Sequence, residues 1–197
     1  GILHIESVEG SGKKLEELKE RVSLLESALF SVTDKKNKKV KQKSIDAEKA
    51  YALSQEIVAL CEEKKQLLAE RISLTAELER LSGWGELDPE KLAALAEKGI
   101  DIALYEMPKA EYDNLGENVR TLSLQKTKAT VKFVLIRSGL DGEDEAVESI
   151  KAFRFEMPQK STAEIKQCIG STNNRISGID EEISSFSDCA DGIKKAI

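Results

Sequence analysis

The chain has 197 residues, 34% of them charged and only 5% aromatic, with 12 Gly, 3 Pro and a net charge of −6. So little aromatic material is thin for one large globular core and suits long helices rich in Leu, Glu, Lys and Ala. The acidic balance argues against a general nucleic-acid binder, which carries a basic footprint, and no run of roughly 18 apolar residues is present to span a membrane. Three cysteines, Cys61, Cys168 and Cys189, none in a C-x-x-C pair, suit reduced thiols rather than a disulfide framework. With His4 as the single histidine, a His-rich metal site or a His-based triad is a poor fit. The first residue is Gly1, with no Met and no signal-peptide pattern, which reads as a piece of a longer protein.

Residues 1–6, GILHIE, read as one short strand, with His4 in strand packing. The next stretch, VEGSGKK, ends in Gly12-Lys13 like a phosphate-binding loop. That loop needs a glycine five positions earlier and a hydroxyl after the lysine. Here those positions hold Ser7 and Lys14, so the stretch reads as a Gly-Ser turn ahead of a charged helix. Leu15, Leu18, Val22, Leu25, Leu29 and Val32 then mark one face of that helix, which ends near TDKKNKK.

Lys35, Lys36, Lys38, Lys39, Lys41 and Lys43 form a basic run ahead of a leucine ladder, the order found in basic-zipper DNA binders. The DNA-reading pattern of that family, roughly N-x-x-A-A-x-x-[CS]-R, is met only at Asn37 and Ser44, and its arginine is missing. Charge alone can hold phosphate, but base readout needs groups placed for the groove. The run reads as a solvated basic loop over 33–44.

From Ala50 to Leu81 a heptad runs without a break: d positions Leu53, Leu60, Leu67, Leu74 and Leu81; a positions Ala50, Ile57, Lys64, Arg71 and Leu78. Glu56, Glu63, Glu70 and Glu77 fill the g positions. Such a seam predicts a coiled coil, because each seam residue must enter a hole on a partner helix. Lys64 and Arg71 weaken its middle unless they snorkel or meet acid on the partner.

After the intervening block 83–161, a second ladder runs through Ile165, Ile169, Thr172, Ile176, Ile179, Ile183, Phe186, Ala190, Ile193 and Ile197. Gly170 and Gly178 lower its helix propensity, so it needs a partner. The two ladders, roughly 35 residues or about 50 Å each, predict an antiparallel pair within one chain. A parallel homodimer through Leu53–Leu81 is the alternative.

The block between changes character. LDPEKLAALAEKG predicts a helix with Asp88 as N-cap, Pro89 in the first turn and Gly99 as the stop. IDIALYE reads as a strand, PKAEYDNLG as a short helix, VRTLSLQ and ATVKFVLIR as strands joined tightly at KTK, DGEDEAVESI as an acidic helix and AFRFEMP as a last strand. The order α-β-α-β-β-α-β predicts a small α+β layer. The Glu-Met-Pro echo at Met107 and Met157 reads as two similar strand exits, since a thioether metal site needs more ligands. The carboxylates at 86–90 and 141–145 lie at helix starts, where the dipole favours them. No EF-hand spacing is present, and no catalytic set emerges.

GILHIE, the long heptads, GWGELDPEKLAALAEKGIDIALYEMPKAEY, the two paired strands and a Pro-ended strand before a return helix together resemble the N-terminal cytoplasmic region of subunit I of A/V-type ATPases, the relative of eukaryotic subunit a. Trp84–Tyr105 is the most specific part. The resemblance implies an α+β chain with a long antiparallel two-stranded coiled coil, a small α/β lobe at its distal tip and part of a second lobe at its proximal end. The implied boundaries are 1–12 for the remnant of the proximal lobe, 13–82 for outgoing helices, 83–161 for the distal lobe and 162–197 for the return helix. Its expected seam is Leu53, Ile57, Leu60, Leu67, Leu74, Leu78, Leu81, Ile165, Ile169, Ile176, Ile179, Ile183 and Phe186. The expected stalk-binding residues of the lobe are Trp84, Leu87, Tyr105 and Tyr112. The family further implies a non-catalytic stator element on the cytoplasmic side of the membrane. Its partners would be the peripheral-stalk subunits E and G and, through the parent chain, the rest of subunit I and the membrane rotor. It implies no cofactor, no metal, no nucleic acid and a monomeric fragment. The proximal lobe lacks the family's first strand and helix, and EGSGKK stands as the turn from that lobe into the stem.

Overall fold

The computed structural model describes residues 8–33, 41–116, 119–137 and 152–197, with side chains from Gly12 onward. The expected strand at 1–6, most of the lysine run and the acidic helix at 141–150 lie outside the described residues. The chain divides into two compact units, one made of the chain up to Arg71 with Ser171–Ile197, the other of Ile72–Gly170.

The first unit is helical. Its elements are α1 (Val8–Thr33), α2 (Ala47–Arg80) through Arg71, α5 (Thr162–Ser185) from Ser171, a 3₁₀ turn at Phe186–Cys189, and α6 (Ala190–Ala196). Asp46 caps α2, its carboxylate accepting from the Lys49 N–H at 2.8 Å. Leu25, Ala28 and Val32 of α1 share one core with Ala50, Ile57 and Leu60 of α2, Ile179 and Ile183 of α5, and Ile193 of α6. This core is drawn from four helices, where the heptads suggested a seam between two. Ala28 of α1 is fully buried, and Gly192 of α6 packs tightly against Ile45, just ahead of α2, where an added methyl group would collide.

Three expectations are corrected in this unit. The VEGSGKK stretch is the first two turns of α1, not a turn. Leu15 and Leu18, expected on its buried face, are 55% and 59% exposed. The return helix is not continuous to Ile197. It tightens into the 3₁₀ turn, where incoming chain competes for the backbone: the Lys43 N–H donates to Asp188 O at 2.7 Å and the Gln42 amide to Ser187 O at 3.1 Å.

The second unit holds a four-stranded antiparallel sheet in the order β2-β3-β1-β4. Its strands are β1 (Asp101–Pro108), β2 (Thr121–Lys126), β3 (Thr130–Arg137) and β4 (Phe153–Phe155), with α3 (Pro89–Glu97) and α4 (Lys109–Tyr112) beside them. Strand alternation sends Ala103, Tyr105, Met107, Val131, Phe133 and Leu135 to one face, covered by Tyr112, Leu115 and Val119. Leu104, Phe155 and Val134 go to the other face, against Leu74, Leu78, Leu81, Trp84, Leu87, Ile165 and Ile169. The capping expectation at α3 is met: Asp88 accepts from the Lys91 N–H, Pro89 opens the helix, and Gly99 follows its C-cap at φ +82°. Pro108 closes β1, opposite Thr130, and is also the N-cap of the short α4.

Candidate functional site

In the first unit, α2 and α5 meet through charged side chains as well as apolar ones. Lys64, at an a position, donates to Asp180 at 2.9 Å, and Arg71 donates to Asn173 at 3.2 Å. As α2 numbers rise, α5 numbers fall, so within this unit the two helices run antiparallel. Arg175 makes a fork with the Glu63 carboxylate at 2.7 and 2.8 Å and adds Glu182 at 2.8 Å. The Arg175 hydrogen bonds hold the Glu63 carboxyl below the usual range, and those carboxylates push the Arg175 guanidinium up. These pairs are solvent-facing and give orientation more than stability.

Of the expected seam residues in this unit, Ile57, Leu60, Ile176, Ile179 and Ile183 are buried, while Leu53, Leu67 and Phe186 are half-buried. In the second unit Leu81 and Ile165 are buried and Leu74, Leu78 and Ile169 half-buried.

The lobe end of α5 is fixed by a capping box. The Glu164 N–H donates to Ser161 Oγ at 3.2 Å, while the Ser161 N–H donates to the Glu164 carboxylate at 2.7 Å. Those Ser161 bonds hold the Glu164 carboxyl below its ordinary value. Thr162 is buried and clips the loop after α2: its Oγ1 accepts from the Leu87 N–H at 3.1 Å, and its N–H donates to Leu87 O at 3.0 Å. Gly83 sits at φ +84°, with the flexible end of the exposed Gln125 side chain of β2 resting where a Cβ would be.

The four expected stalk-contact residues lie inside or partly inside this unit. Trp84 is 2% exposed and pairs with Phe155 at 4.5 Å between ring centroids. Leu87 and Tyr105 are also buried, and Tyr112 is half-buried with its hydroxyl 3.1 Å from Thr121 Oγ1. Aromatic and apolar bulk is what a small sheet needs for its own core, so any contact surface the lobe offers is made by other side chains.

Among the described residues one groove and one perturbed thiol bear on catalytic chemistry. An open groove of about 630 Å³ lies between Leu74, Glu77, Arg80, Met157 and Ile165. Of the two cations that line it, Arg80 and Lys160, Arg80 is engaged by Glu77 at 2.7 Å, by Glu156 O at 2.9 Å and by the Phe155 ring. Burial and the neighbouring Asp188 carboxylate push the Cys189 thiol up, away from a reactive thiolate. Met107 is buried in the sheet core while Met157 is exposed on the groove, so the Glu-Met-Pro echo builds no joint site. Among the described residues no group of three or more His, Cys, Asp or Glu side chains is placed to hold a metal ion. Gly12-Lys13 sits inside α1, where backbone N–H groups are engaged with carbonyls one turn back rather than turned toward a phosphate. Among the described residues no helix is long and apolar enough to cross a membrane.

No family model matches the chain. Its sequence is similar to V-type ATP synthase subunit I 1 of Treponema pallidum (strain Nichols), 27% identical over 144 residues, or 69% of this chain. The chain spans 23% of that relative's length. The similarity supports the relation to subunit I that Trp84–Tyr105 and its flanks suggested.

Proposed function

We propose that the chain is part of the stator arm of a V-type rotary ATPase, a non-catalytic segment on the cytoplasmic side that holds the peripheral stalks. The similarity to subunit I over 144 residues carries this reading. The chemistry agrees with it: among the described residues Asp88 and Glu164 cap helices, and Lys64 and Arg175 pair across from one helix to another. Rotary catalysis loads torque on the fixed parts of the machine. An antiparallel coiled-coil stem resists bending better than a loop, because a coiled-coil seam is packed along its length. The sheet unit is then a lobe that engages the stalk subunits E and G, while the rest of subunit I carries the membrane path for H⁺ or Na⁺.

A homodimerising coiled-coil scaffold is the second reading. Against it, Lys64 and Arg71 find their polar partners Asp180 and Asn173 within the same chain. Gel filtration of the chain mixed with the E–G heterodimer tests the proposal. Co-elution as a stoichiometric complex supports the stator reading, whereas separate elution together with self-association of the chain supports the scaffold.

A further inference from the structure

The last helix, α6, does not secure its own start. It has seven residues, and neither Cys189 before it nor Ser185 before the 3₁₀ turn makes a side-chain capping bond. A helix of two turns is marginal in water without outside support, and the first N–H groups of any helix lack partners within it. Its grip on the core is also narrow. Ile193 is its one fully buried large side chain, with Ala190 and Ala196 half-buried at the border.

The support comes from the segment just ahead of α2. The Gln42 side-chain oxygen accepts from the Asp191 N–H at 3.0 Å, the bond an N-cap residue makes to the second helical position. The amide of the same side chain donates to Ser187 O at 3.1 Å, on the other side of the helix break. Beside it the Lys43 N–H donates to Asp188 O at 2.7 Å, and Lys43 Nζ lies 2.6 Å from the Asp188 carboxylate. Ile45 then packs against Gly192 so closely that a Cβ there would collide. Residues 42–45 therefore hold the chain on both sides of the break between α5 and α6. All of these residues belong to the helical unit.

We infer that residues 42–45 are a strap that keeps α6 folded on α1, with the Gln42 amide as the missing cap, so that α6 opens as one unit when the strap lets go. The device couples the connection between α1 and α2 to the last helix. Movement of that connection uncovers Ile193 and the stretch of α1 beside α6, while α2 and α5 keep their own pairing. The inference does not depend on the stator reading.

Hydrogen–deuterium exchange of the 197-residue chain, resolved to peptides by mass spectrometry, tests it with wild type and Gln42→Ala. Gln42 is exposed, so the substitution removes the cap without opening the core. Amides of 190–196 are expected to exchange about threefold to tenfold faster in the variant, while those of α2 and of α5 keep their wild-type rates. Unchanged exchange over 190–196 overturns the role of Gln42. An equal rise through α1, α2 and α5 overturns the separate opening of α6.

Discussion

Gly83 turns the chain from α2 toward Trp84 in the left-handed region, with Gln125 filling the space beside it. Gly83→Ala therefore strains the backbone, while the exposed end of Gln125 can swing aside. We expect a loss of about 1–3 kcal/mol in denaturant unfolding; an unchanged midpoint would contradict the left-handed turn. At the other unit, Lys43 holds the Asp188 carboxyl below its ordinary value, helped by the Cys189 thiol. A depressed folded-state pKa means that this stabilisation is complete above the unfolded-state value and is lost as pH falls through the folded one. Thermal melts taken downward from pH 6 should show an acid-side decline that is shallower in Asp188→Asn, with the two proteins differing most above the ordinary aspartate range. The capping residues Asp88 and Gly99 were legible in the sequence because their chemistry is local. Gln42 and Asp188 were not, because their partners lie far along the chain.

At the scale of elements, Ile179 is fully buried in the four-helix core, while Leu67 is half-buried at its border. Ile179→Asp should cost several kcal/mol, since it leaves an unpaired charge inside, and Leu67→Asp should cost clearly less. Equal losses in urea titrations would mean that the two positions share one environment. The heptad pattern identified α2 and α5 as amphipathic helices with apolar stripes. It carried the second ladder through Ala190 and Ile193 of α6 but did not foresee α1 in the same core, because a stripe reports that a face is buried and not how many neighbours bury it. In the lobe, alternation in β1 and β3 was plain in IDIALYE and TVKFVLIR. Strand order was not, since nothing local places β1 between β3 and β4. That order is what puts Trp84 and Tyr105 inside and leaves Leu122 outside.

For the whole molecule, composition pointed to a helical chain with a small mixed lobe, and the two units have that content. The proposed partner comes from resemblance alone, because surfaces that bind other proteins carry no periodic signal. Sedimentation velocity should give a monomer across a hundredfold range of concentration, since Lys64, Arg71 and Glu63 are satisfied within the chain. A shift to dimer with rising concentration would favour the scaffold reading. The central claim is that this chain holds a peripheral stalk, and a calorimetric titration with the cognate E–G heterodimer tests it most directly. The account predicts saturable binding that weakens as salt rises. An absence of binding heat at several temperatures, with both proteins folded, would contradict it.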